Sequence, residues 1–558
     1  MEGYESVEYD SVTINEMLQQ AASVSNLDQY ALSVPINANN NNTKVSSTRI
    51  PLVLESNPPT ITSVTTFGSF NQTHIFVNTP LVITVKSIYT TGVQITWFAN
   101  DTLVCQDSTC YTPTNEDVGK VISVVIIPYR IDHDGKGYEE SYQFKRCVEV
   151  LPDMPIMTSL RQEFITNRSM EATTKKELSD NHELKSSQGD KSTEGVEEDT
   201  ETSIRIVTYN ILADQNASRD LDNEERMYAH CKNEHIIKWR RHPLIVHELL
   251  SYNPDVISLQ EVDTDVYNEL LKPIFEAFGY EGYYSQKGVD ESSSIREGCA
   301  IFWSLSKFES VRPVDMKTHT FREMIRQYSC DERLHKSQWR SLADLSDLLD
   351  KHEHLKHVMH EKLGHVLQTV VLKQRSNQEK VVIGNSHLFY HPMASHIRCM
   401  KMLMACRQLQ IEHWENEHCP IIFCGDLNSH PNSGVMKLML DRQLCKNNGK
   451  TWKHLCTYQW SKGAIEEGGG IHHDVEAIDL EFPSSFPTFM SAYENMPEFT
   501  HFISAFVCTL DYILVTNNFE LDKSGATPKR EDIEKYIAMP NECMPSDHVS
   551  LVADLKWK

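Results

Sequence analysis

Hydrophobic residues follow one pattern before a polar stretch at residues 160–202 and a different pattern after it. Before it, short β-prone runs alternate with turn-rich segments, at residues 81–85, 94–98, 121–127 and 142–150. Strands at this spacing around a central tryptophan are typical of a small β-sandwich. We therefore predict a β-sandwich domain over residues 49–159, with Trp97 in its core.

From residue 203 onwards, apolar strands alternate with longer runs of helical spacing. Helical runs cover residues 235–252, where Pro243 should kink or split the helix, and residues 395–414, which are amphipathic. Residues 315–370 are helical in pattern and rich in histidine, which favours a solvated insertion. We predict one large domain over residues 203–558, with strands at 204–209, 256–260, 299–303, 381–383, 421–424, 510–515 and from 549.

Two segments have too few apolar residues to form a core. Residues 1–48 are polar, with a run of asparagines at 39–42, and are predicted to be disordered. Residues 160–202 are rich in serine, lysine and glutamate and are predicted to form a flexible linker between the two domains.

Composition and charge narrow the classes of function. With 558 residues, 40% hydrophobic and 23% charged, the chain is typical of a globular protein with several cores. It has no apolar run of about 18 residues, so we expect no membrane span. A net charge of −25 disfavours binding to duplex DNA, because phosphate neutralisation needs clustered lysine and arginine. A short RNA end bound through a metal site is compatible with this charge.

The cysteines and the N-terminus indicate an intracellular protein. The 14 cysteines have no regular spacing, and although Cys105 and Cys110 could bridge, free thiols in a reducing compartment are the expectation. The first residues are acidic and lack the features of a secretory signal or a mitochondrial transit peptide.

Two histidine-rich stretches come close to the pattern of a zinc-binding helix. His352 and His357, like His360 and His365, are five residues apart. Five residues turn a helix through about 500°, whereas the roughly 400° of a four-residue spacing brings two histidines onto one face. No zinc site is predicted there.

Residues 421–430, Ile-Ile-Phe-Cys-Gly-Asp-Leu-Asn-Ser-His, carry the clearest chemical signal in the chain. Four apolar residues predict a buried strand, which Gly425 ends with a tight turn. Asp426 and Asn428 are two residues apart, so their side chains should point to the same side. A carboxylate beside an amide suits a hard divalent cation and a phosphate oxygen. The alternative is an Asx-rich turn without chemical function.

Polar residues also stand at the ends of the other predicted strands. Each is individually compatible with a surface side chain or a turn, and Asp511 with a purely structural hydrogen-bond acceptor. The ordered set favours a catalytic site built from strand ends. Its members are Asn210, Glu261, His387, Asp511, Asp547 and His548.

This ordered set resembles the endonuclease/exonuclease/phosphatase superfamily, and in particular its deadenylase branch. The resemblance is carried by Tyr-Asn-Ile-Leu-Ala-Asp at 209–214, Leu-Gln-Glu-Val-Asp at 259–263, His-Leu-Phe-Tyr-His-Pro at 387–392 and the segment 547–558. It implies an α+β catalytic domain, an αββα sandwich of two packed sheets flanked by helices, preceded by the small β-sandwich. It also implies hydrolysis of phosphoester bonds with Mg²⁺, with Mn²⁺ as a possible substitute.

The resemblance implies a metal-binding role for five of these residues. Glu261, with Asn210 and Asp547, is expected to hold Mg²⁺. Asp426 is expected to activate the attacking water and to touch the metal, and Asn428 to contact both the phosphate and the metal.

The same resemblance implies roles at the phosphate and the base. His548, oriented by Asp511, is expected to stabilise the pentacovalent phosphorus, while His387 contacts the phosphate from the other side. Pro392 and Phe506 are expected to stack an adenine between them; the alternative for Phe506 is core packing. Cys508 stands where the family usually has a glycine, and its side chain would crowd this pocket.

We therefore expect a Mg²⁺-dependent exoribonuclease that releases 5′-AMP from 2′,5′-oligoadenylate and from 3′ poly(A). Its partner would be a short oligoadenylate or an RNA 3′ end; no protein partner is predicted. The alternatives are a strict 3′–5′ deadenylase, a phosphatase on the same fold, and an inactive interaction module. The resemblance implies a mitochondrial location, with the cytoplasm as the alternative.

Overall fold

The computed structural model describes residues 58–131, 137–157, 203–217, 227–288, 296–329, 339–458 and 475–558, with four short strands nearer the N-terminus. The chain divides into two compact units. The first comprises Met1–Thr65, Ile83–Tyr111 and Lys120–Lys145, and the second comprises Thr66–Val82, Thr112–Gly119 and Arg146–Lys558. The predicted linker lies outside the described residues, as does the predicted disordered segment apart from Glu8–Tyr9 and Tyr30–Ser33.

Antiparallel strands make up the described part of the first unit. Gly92–Ala99 pairs with both Thr102–Gln106 and Val121–Tyr129, and Thr60–Thr65 pairs with Thr84–Ile88. The first unit also contains the strands Ile50–Pro51, Val53–Ser56 and Cys110–Tyr111 and most of Glu140–Glu149, whereas Ile75–Phe76 and Leu81–Val82 belong to the second unit.

Trp97 fills the core of the first unit, as the sequence predicts. Its side chain is completely buried, with its ring centroid 5.9 Å from that of Tyr111 and 6.4 Å from that of Phe144. The indole N–H donates to the backbone oxygen of Ser108 at 2.8 Å, so the polar end of the buried ring is also satisfied.

The second unit contains two six-stranded mixed sheets. The first sheet has the order Tyr280–Gln286, Glu297–Ser304, Val256–Asp263, Ser203–Asn210, Leu551–Trp557 and Phe519–Ser524. The second sheet has the order Met316–Thr320, Val366–Lys373, Lys380–His387, Ile421–Asp426, Asp511–Thr516 and Phe489–Ser491. Two shorter pairings join Gln443–Leu444 to Leu480–Glu481 and His501–Ile503 to Phe506–Cys508.

Alternation along the central strands explains why the two sheets pack face to face. Ile206 of the first sheet and Ile422 of the second lie in one hydrophobic cluster between the sheets. Their neighbours Val207 and Phe423 point the other way, each into a cluster that includes helical residues. Both faces of both sheets are thus buried, and the predicted αββα arrangement is confirmed.

Helices cover the two outer faces. Those associated with the first sheet are Asp214–Ala217, Asn233–Ile236, Lys238–Ser251, Thr264–Val266, Tyr267–Leu271 and Lys272–Ala277. Those associated with the second sheet are Phe321–Ser329, Arg340–Lys351, Glu353–His357, Val358–Lys362, Ser395–Glu415, Gly434–Asp441 and Gly449–Trp452. Short helical turns also occur at Ser69–Gln72, Asn115–Asp117, Pro155–Met157, Pro313–Asp315 and Arg530–Glu534.

Pro243 does not split its helix, although a split is one of the two predicted outcomes. The helical run is broken at Ile237, and Pro243 lies inside the continuous helix Lys238–Ser251. A proline has no N–H for the carbonyl oxygen four residues earlier, that of Trp239. That oxygen instead accepts from the backbone N–H of His74 at 3.1 Å, so a donor from elsewhere in the unit replaces the missing helical bond.

Residues 315–370 are not a solvated insertion. They begin and end in strands of the second sheet, and the helix Arg340–Lys351 buries Leu342, Leu345 and Leu349 in the same cluster as Leu403. The leucines recur at helical spacing, and this pattern outweighs the polar residues between them.

The helix Ser395–Glu415 is also buried more widely than its amphipathic pattern predicts. Several of its polar side chains are buried because they have partners. Arg398 donates from Nη1 to the backbone oxygens of Phe389 and His391, at 2.9 and 2.7 Å. Glu412 accepts from Lys317 at 2.8 Å.

Three smaller expectations concern histidines, cysteines and membrane spans. Both ring nitrogens of His352 bond to the backbone, Nε2 to the oxygen of Leu455 and Nδ1 to the N–H of Leu355. Cys105 and Cys110 are free thiols and do not bridge. Among the described residues, no helix is both long and apolar enough to cross a membrane.

Candidate active site

The polar strand ends predicted from the sequence meet at one edge of the two sheets. Parallel strands bring Asn210 and Glu261 to this edge in the first sheet, and His387 and Asp426 in the second. The antiparallel strand Asp511–Thr516 begins at the same edge, with Asp511 directly opposite Asp426. The directions of the strands therefore bring together side chains that are far apart in sequence.

Buried amides join the two sheets directly beneath this edge. Gln260 Nε2 donates to Asn385 Oδ1 at 2.9 Å, and Asn385 Nδ2 donates to the backbone oxygen of Leu259, also at 2.9 Å. Both amides are completely buried, one residue before Glu261 and two before His387. These bonds fix the separation of the sheets where the site requires it.

A β-bulge directs Glu261 into the site. The pairing of Val256–Asp263 with Glu297–Ser304 shifts register between Leu259 and Val262, and Glu261 itself has φ 54°. Its carboxylate accepts from Asn210 Nδ2 at 3.1 Å, from the N–H of Ala213 at 3.0 Å and from Asn216 Nδ2 at 2.9 Å. Glu261 is therefore held in one orientation.

Gly425 allows the strands carrying His387 and Asp426 to lie close together. Its φ is 149°, and a Cβ atom at this position would overlap the backbone oxygen of Ser386. Here the sequence prediction needs a small correction, because the strand continues through Gly425 to Asp426.

Asp426 lies at the centre of the site and is almost completely buried. Oδ1 accepts from the N–H of Asn428 at 2.8 Å and Oδ2 from Asn210 Nδ2 at 3.0 Å. Oδ2 also lies 3.5 Å from Nε2 of His387 and 3.7 Å from Nε2 of His548. Burial, together with the negative charge of Asp511, raises the pKa of Asp426 to about 7. A carboxylate with this pKa can accept a proton from water near neutral pH.

His548 and Asp511 form a carboxylate–imidazole pair. Nδ1 of His548 lies 2.8 Å from Oδ2 of Asp511, and both residues are buried. Burial alone would lower the pKa of His548, but the charge and hydrogen bond of Asp511 outweigh it and raise the pKa to about 10. A pKa of about 10 favours the imidazolium form of His548 at neutral pH.

Asp547 lies on the other side of His548. It accepts from the hydroxyl of Tyr228 at 2.6 Å, and its Oδ2 is 3.5 Å from Nε2 of His501. Burial would raise the pKa of Asp547, but the hydrogen bond from His501 and the charge of His548 hold it well below its usual value.

The predicted metal ligands are divided among three neighbouring clusters of potential ligand atoms. Within each cluster these atoms lie within 4.8 Å of one another. Asn210 links two of the clusters through bonds from its amide nitrogen to Glu261 and Asp426, while its Oδ1 accepts from the N–H of Leu212. In the described residues the clusters are Glu261–Glu297–His387, Asp426–Asp511–His548 and His501–Asp547–His548.

The donor set fits a hard divalent cation. Carboxylate oxygens of Glu261 and Asp426 converge on one amide, and Asn428 is held beside them by its bond from Nδ2 to the backbone oxygen of Leu388 at 2.9 Å. Burial and the neighbouring charge of Asp511 raise the pKa of Asp426, and a bound cation would favour its ionised form.

Pro392 and Phe506 both lie at the surface. The side chain of Phe506 is 49% exposed, and its ring centroid is 5.6 Å from that of His501. Core packing, the alternative reading of Phe506, is therefore wrong. Pro392 is exposed five residues after His387, and Cys508 pairs with His501 in the hairpin that carries Phe506.

Sequence reasoning missed four residues that contact the predicted site. Lys287 Nζ lies 3.0 Å from Oε1 of Glu297 and 2.8 Å from Nδ1 of His387. Glu297 precedes an apolar run just as Asp511 does, so the same strand-end pattern contained it. Tyr228 and His501 lie outside that pattern, and nothing in their local sequence indicates contact with Asp547.

Comparison with known proteins places this arrangement in a family. Residues 207–548, more than half of the chain, match the model of the Endonuclease/Exonuclease/phosphatase family. The chain therefore belongs to this family, and the resemblance seen in the sequence is confirmed.

Three similar proteins show which members of the family this chain resembles. The chain is 30% identical over 363 residues to the 2′,5′-phosphodiesterase 12 proteins of Mus musculus and Homo sapiens, covering 64% of this chain and 52% of each relative. It is 26% identical over 382 residues to CCR4-NOT transcription complex subunit 6-like-B of Xenopus laevis, covering 63% of each chain. The chain thus spans about half the length of the first of these relatives.

Two solved structures are also similar. ANGEL2, described as a 2′,3′-cyclic phosphatase, matches at 22% identity with a TM-score of 0.47, covering 64% of this chain and 96% of that one. The human Nocturnin catalytic domain matches at 21% identity with a TM-score of 0.38, covering 64% and 94%.

Proposed function

We propose that this protein is a Mg²⁺-dependent phosphodiesterase and exoribonuclease that hydrolyses 2′,5′-oligoadenylate and 3′ poly(A) to 5′-AMP. The observation that carries the proposal is the burial of Asp426 between His387 and the His548–Asp511 pair, beside the fixed carboxylate of Glu261. Its similarity to 2′,5′-phosphodiesterase 12 supports the substrate class.

The proposed roles follow from the positions of the side chains. Mg²⁺, which Glu261, Asp426, Asn428, Asn210 and Asp547 would hold, supplies positive charge that reduces the repulsion between an anionic phosphodiester and its nucleophile. Asp426 accepts the proton of the attacking water. His548, kept charged by Asp511, stabilises the developing charge on phosphorus. His387 contacts the phosphate from the side of Asp426 that is opposite His548.

The proposed base site uses exposed rings. Phe506 presents about half of its side chain to solvent, as stacking with an adenine requires. Stacking of this kind is worth about 1–3 kcal/mol per base. A lipid or sugar phosphate has no such ring, so these positions favour a nuclease over a phosphatase.

A second candidate is a strict 3′–5′ deadenylase, which the similarity to CCR4-NOT subunits favours. The two candidates share the site and differ in the linkage they cleave. An inactive module is disfavoured because all the predicted site residues are present. Mitochondrial location stays a prediction.

Linkage and metal dependence can be tested in one experiment. Purified protein is incubated with 2′,5′- and with 3′,5′-linked triadenylate, in Mg²⁺, in Mn²⁺ or in excess EDTA, and products are separated by chromatography. We expect AMP from both substrates with either metal and none in EDTA, with Asp426→Asn as the inactive control. Cleavage of the 3′,5′ linkage alone would support the strict deadenylase, and failure to cleave either substrate would contradict the proposal.

A further inference from the structure

Lys287 contacts the predicted site through Glu297 and His387. It follows the strand Tyr280–Gln286, and its backbone N–H donates to the oxygen of Glu297 at 2.9 Å. Its side chain is buried, with Nζ 3.0 Å from Oε1 of Glu297 and 2.8 Å from Nδ1 of His387. A buried lysine that bonds a site histidine has no role in the scheme above.

The donors and acceptors at this contact determine where the imidazole proton lies. An ammonium group has three donors and no acceptor, so Nδ1 of His387 must accept, and the ring must carry its proton on Nε2. The Glu297 carboxylate, 3.0 Å away, keeps the lysine charged. Burial alone would lower the pKa of Lys287, but the charge of Glu297, together with smaller contributions from Cys299 and Glu261, raises it above its ordinary value.

The other ring nitrogen of His387 faces the centre of the site. Nε2 lies 3.5 Å from Oδ2 of Asp426, on the opposite side of the ring from Lys287. His548 has the reverse arrangement, because its Nδ1 faces the carboxylate of Asp511. One histidine beside Asp426 is thus paired with a buried cation and the other with a buried anion.

We propose that Lys287 is a positioning residue that holds His387 in the tautomer with its proton on Nε2, so that an N–H donor faces the phosphate. The inference rests on the proposed function for its effect on catalysis, but the tautomer itself is a property of the resting protein. The competing explanation is that Lys287 only stabilises the fold through its ion pair with Glu297.

A double-mutant cycle of kcat values distinguishes these explanations. Lys287→Met should lower kcat for triadenylate by roughly 10- to 100-fold with little change in KM, because Lys287 acts through His387 and not on substrate. Glutamine in place of His387 carries an N–H near Nε2 without tautomers. In the His387→Gln background, Lys287→Met should therefore lower kcat by less than about twofold further. Equal losses in both backgrounds would overturn the proposal.

Two control variants address stability. Lys317→Met also removes an ammonium from a buried glutamate, Glu412, but contacts neither site histidine, so its kcat should be unchanged. If Lys287→Met folds poorly because Glu297 is left unpaired, Lys287→Met/Glu297→Gln removes both charges and should show the same kinetic loss. Retention of full kcat by this folded double variant would also overturn the proposal.

A spectroscopic test does not depend on activity. In protein labelled with ¹⁵N-histidine, His387 is assigned from the resonances lost in His387→Gln. We expect Nε2 in the range of a protonated nitrogen and Nδ1 in the range of an unprotonated one, with this preference lost in Lys287→Met. A proton on Nδ1, or no change in Lys287→Met, would refute the inference even in a protein that cleaves triadenylate. The expected tautomer in a protein that cleaves neither triadenylate would refute only the proposed function.

Discussion

Asp426 owes its properties to its neighbours more than to its own chemistry. Burial and the adjacent Asp511 raise its pKa to about 7, so its ionisation is costly in the folded protein. The Nε2 atoms of His387 and His548 lie 3.5 and 3.7 Å from its Oδ2. The folded site therefore disfavours the ionised form of Asp426, and this carboxylate is ready to accept a proton.

Replacement of this carboxylate should separate activity from stability. Asp426→Asn should lower kcat by roughly 10²- to 10⁴-fold, as expected for loss of a general base. Its folded pKa of about 7 lies above the ordinary 3.8, so the wild type loses stability as pH rises through this interval, and the variant does not. In metal-free buffer, the Tm of the variant relative to wild type should therefore be higher at about pH 8 than at about pH 5. A large loss of Tm at both pH values would indicate a structural carboxylate.

The exposed ring of Phe506 provides a test of the substrate. Phe506→Ala should raise KM for oligoadenylate and narrow the preference for adenine over uracil, each by roughly tenfold for a loss near 1.4 kcal/mol. Hydrolysis of bis-p-nitrophenyl phosphate, which lacks a base, should change much less. Trp414→Ala removes a similarly exposed aromatic ring, 40% exposed against 49%, and should alter neither. Equal loss on both substrates would show that Phe506 supports the site structurally.

At the scale of secondary-structure elements, the ends of the strands determine the site more than the strands themselves do. Apolar runs predicted seven of the twelve strands of the two sheets, and the residues that follow those runs supplied the predicted site. The strands that were not predicted are Tyr280–Gln286, Met316–Thr320, Val366–Lys373, Phe489–Ser491 and Phe519–Ser524. The bulge at Glu261 was not predictable, because a non-glycine residue with φ 54° gives no signal in the sequence. Lys287 and Tyr228 were missed because they reach the site from loops whose course depends on the folded sheets.

Gly425 provides the test at this scale. Gly425→Ala introduces a Cβ atom against the backbone oxygen of Ser386 at φ 149°, so it should destabilise the protein by more than about 1 kcal/mol and lower kcat as His387 and Asp426 separate. The control is Gly449→Ala, in the helix Gly449–Trp452, where a Cβ atom has nothing within 4 Å. That change should be neutral or stabilising by about 0.5–1 kcal/mol in denaturant unfolding. Equal stability of the two variants would contradict the steric argument.

Over the whole molecule, the second unit is larger than the catalytic domain that the sequence predicts. Residues 66–82 belong to it, and Phe67 packs in the same cluster as Val207 and Leu249. No sequence pattern indicates this packing, because these residues precede most strands of the first unit and their partners lie beyond the polar stretch.

Truncation tests how much the residues before position 203 contribute to the stability of the second unit. A fragment of residues 203–558 retains every residue assigned to the chemistry but lacks Phe67, Phe76 and Ile156, each buried in a core of the second unit. Loss of one such contact costs about 1.5–3 kcal/mol. We expect the fragment to unfold well below the full chain in thermal denaturation, with residual activity only at low temperature. An unchanged Tm would show that these contacts are dispensable.

The order of strands in the first sheet has a consequence for synthesis. Ser203–Asn210 lies between Val256–Asp263 and Leu551–Trp557, and Arg205 and Asp554 tie the two distant segments together with bonds of 2.7 and 2.8 Å. A chain emerging from the ribosome leaves one side of this strand unpaired until residue 557 has been made. His548 arrives equally late. A nascent polypeptide that has not yet exposed these residues therefore lacks both a neighbour for its central strand and one of the histidines beside Asp426, so it cannot assemble the site.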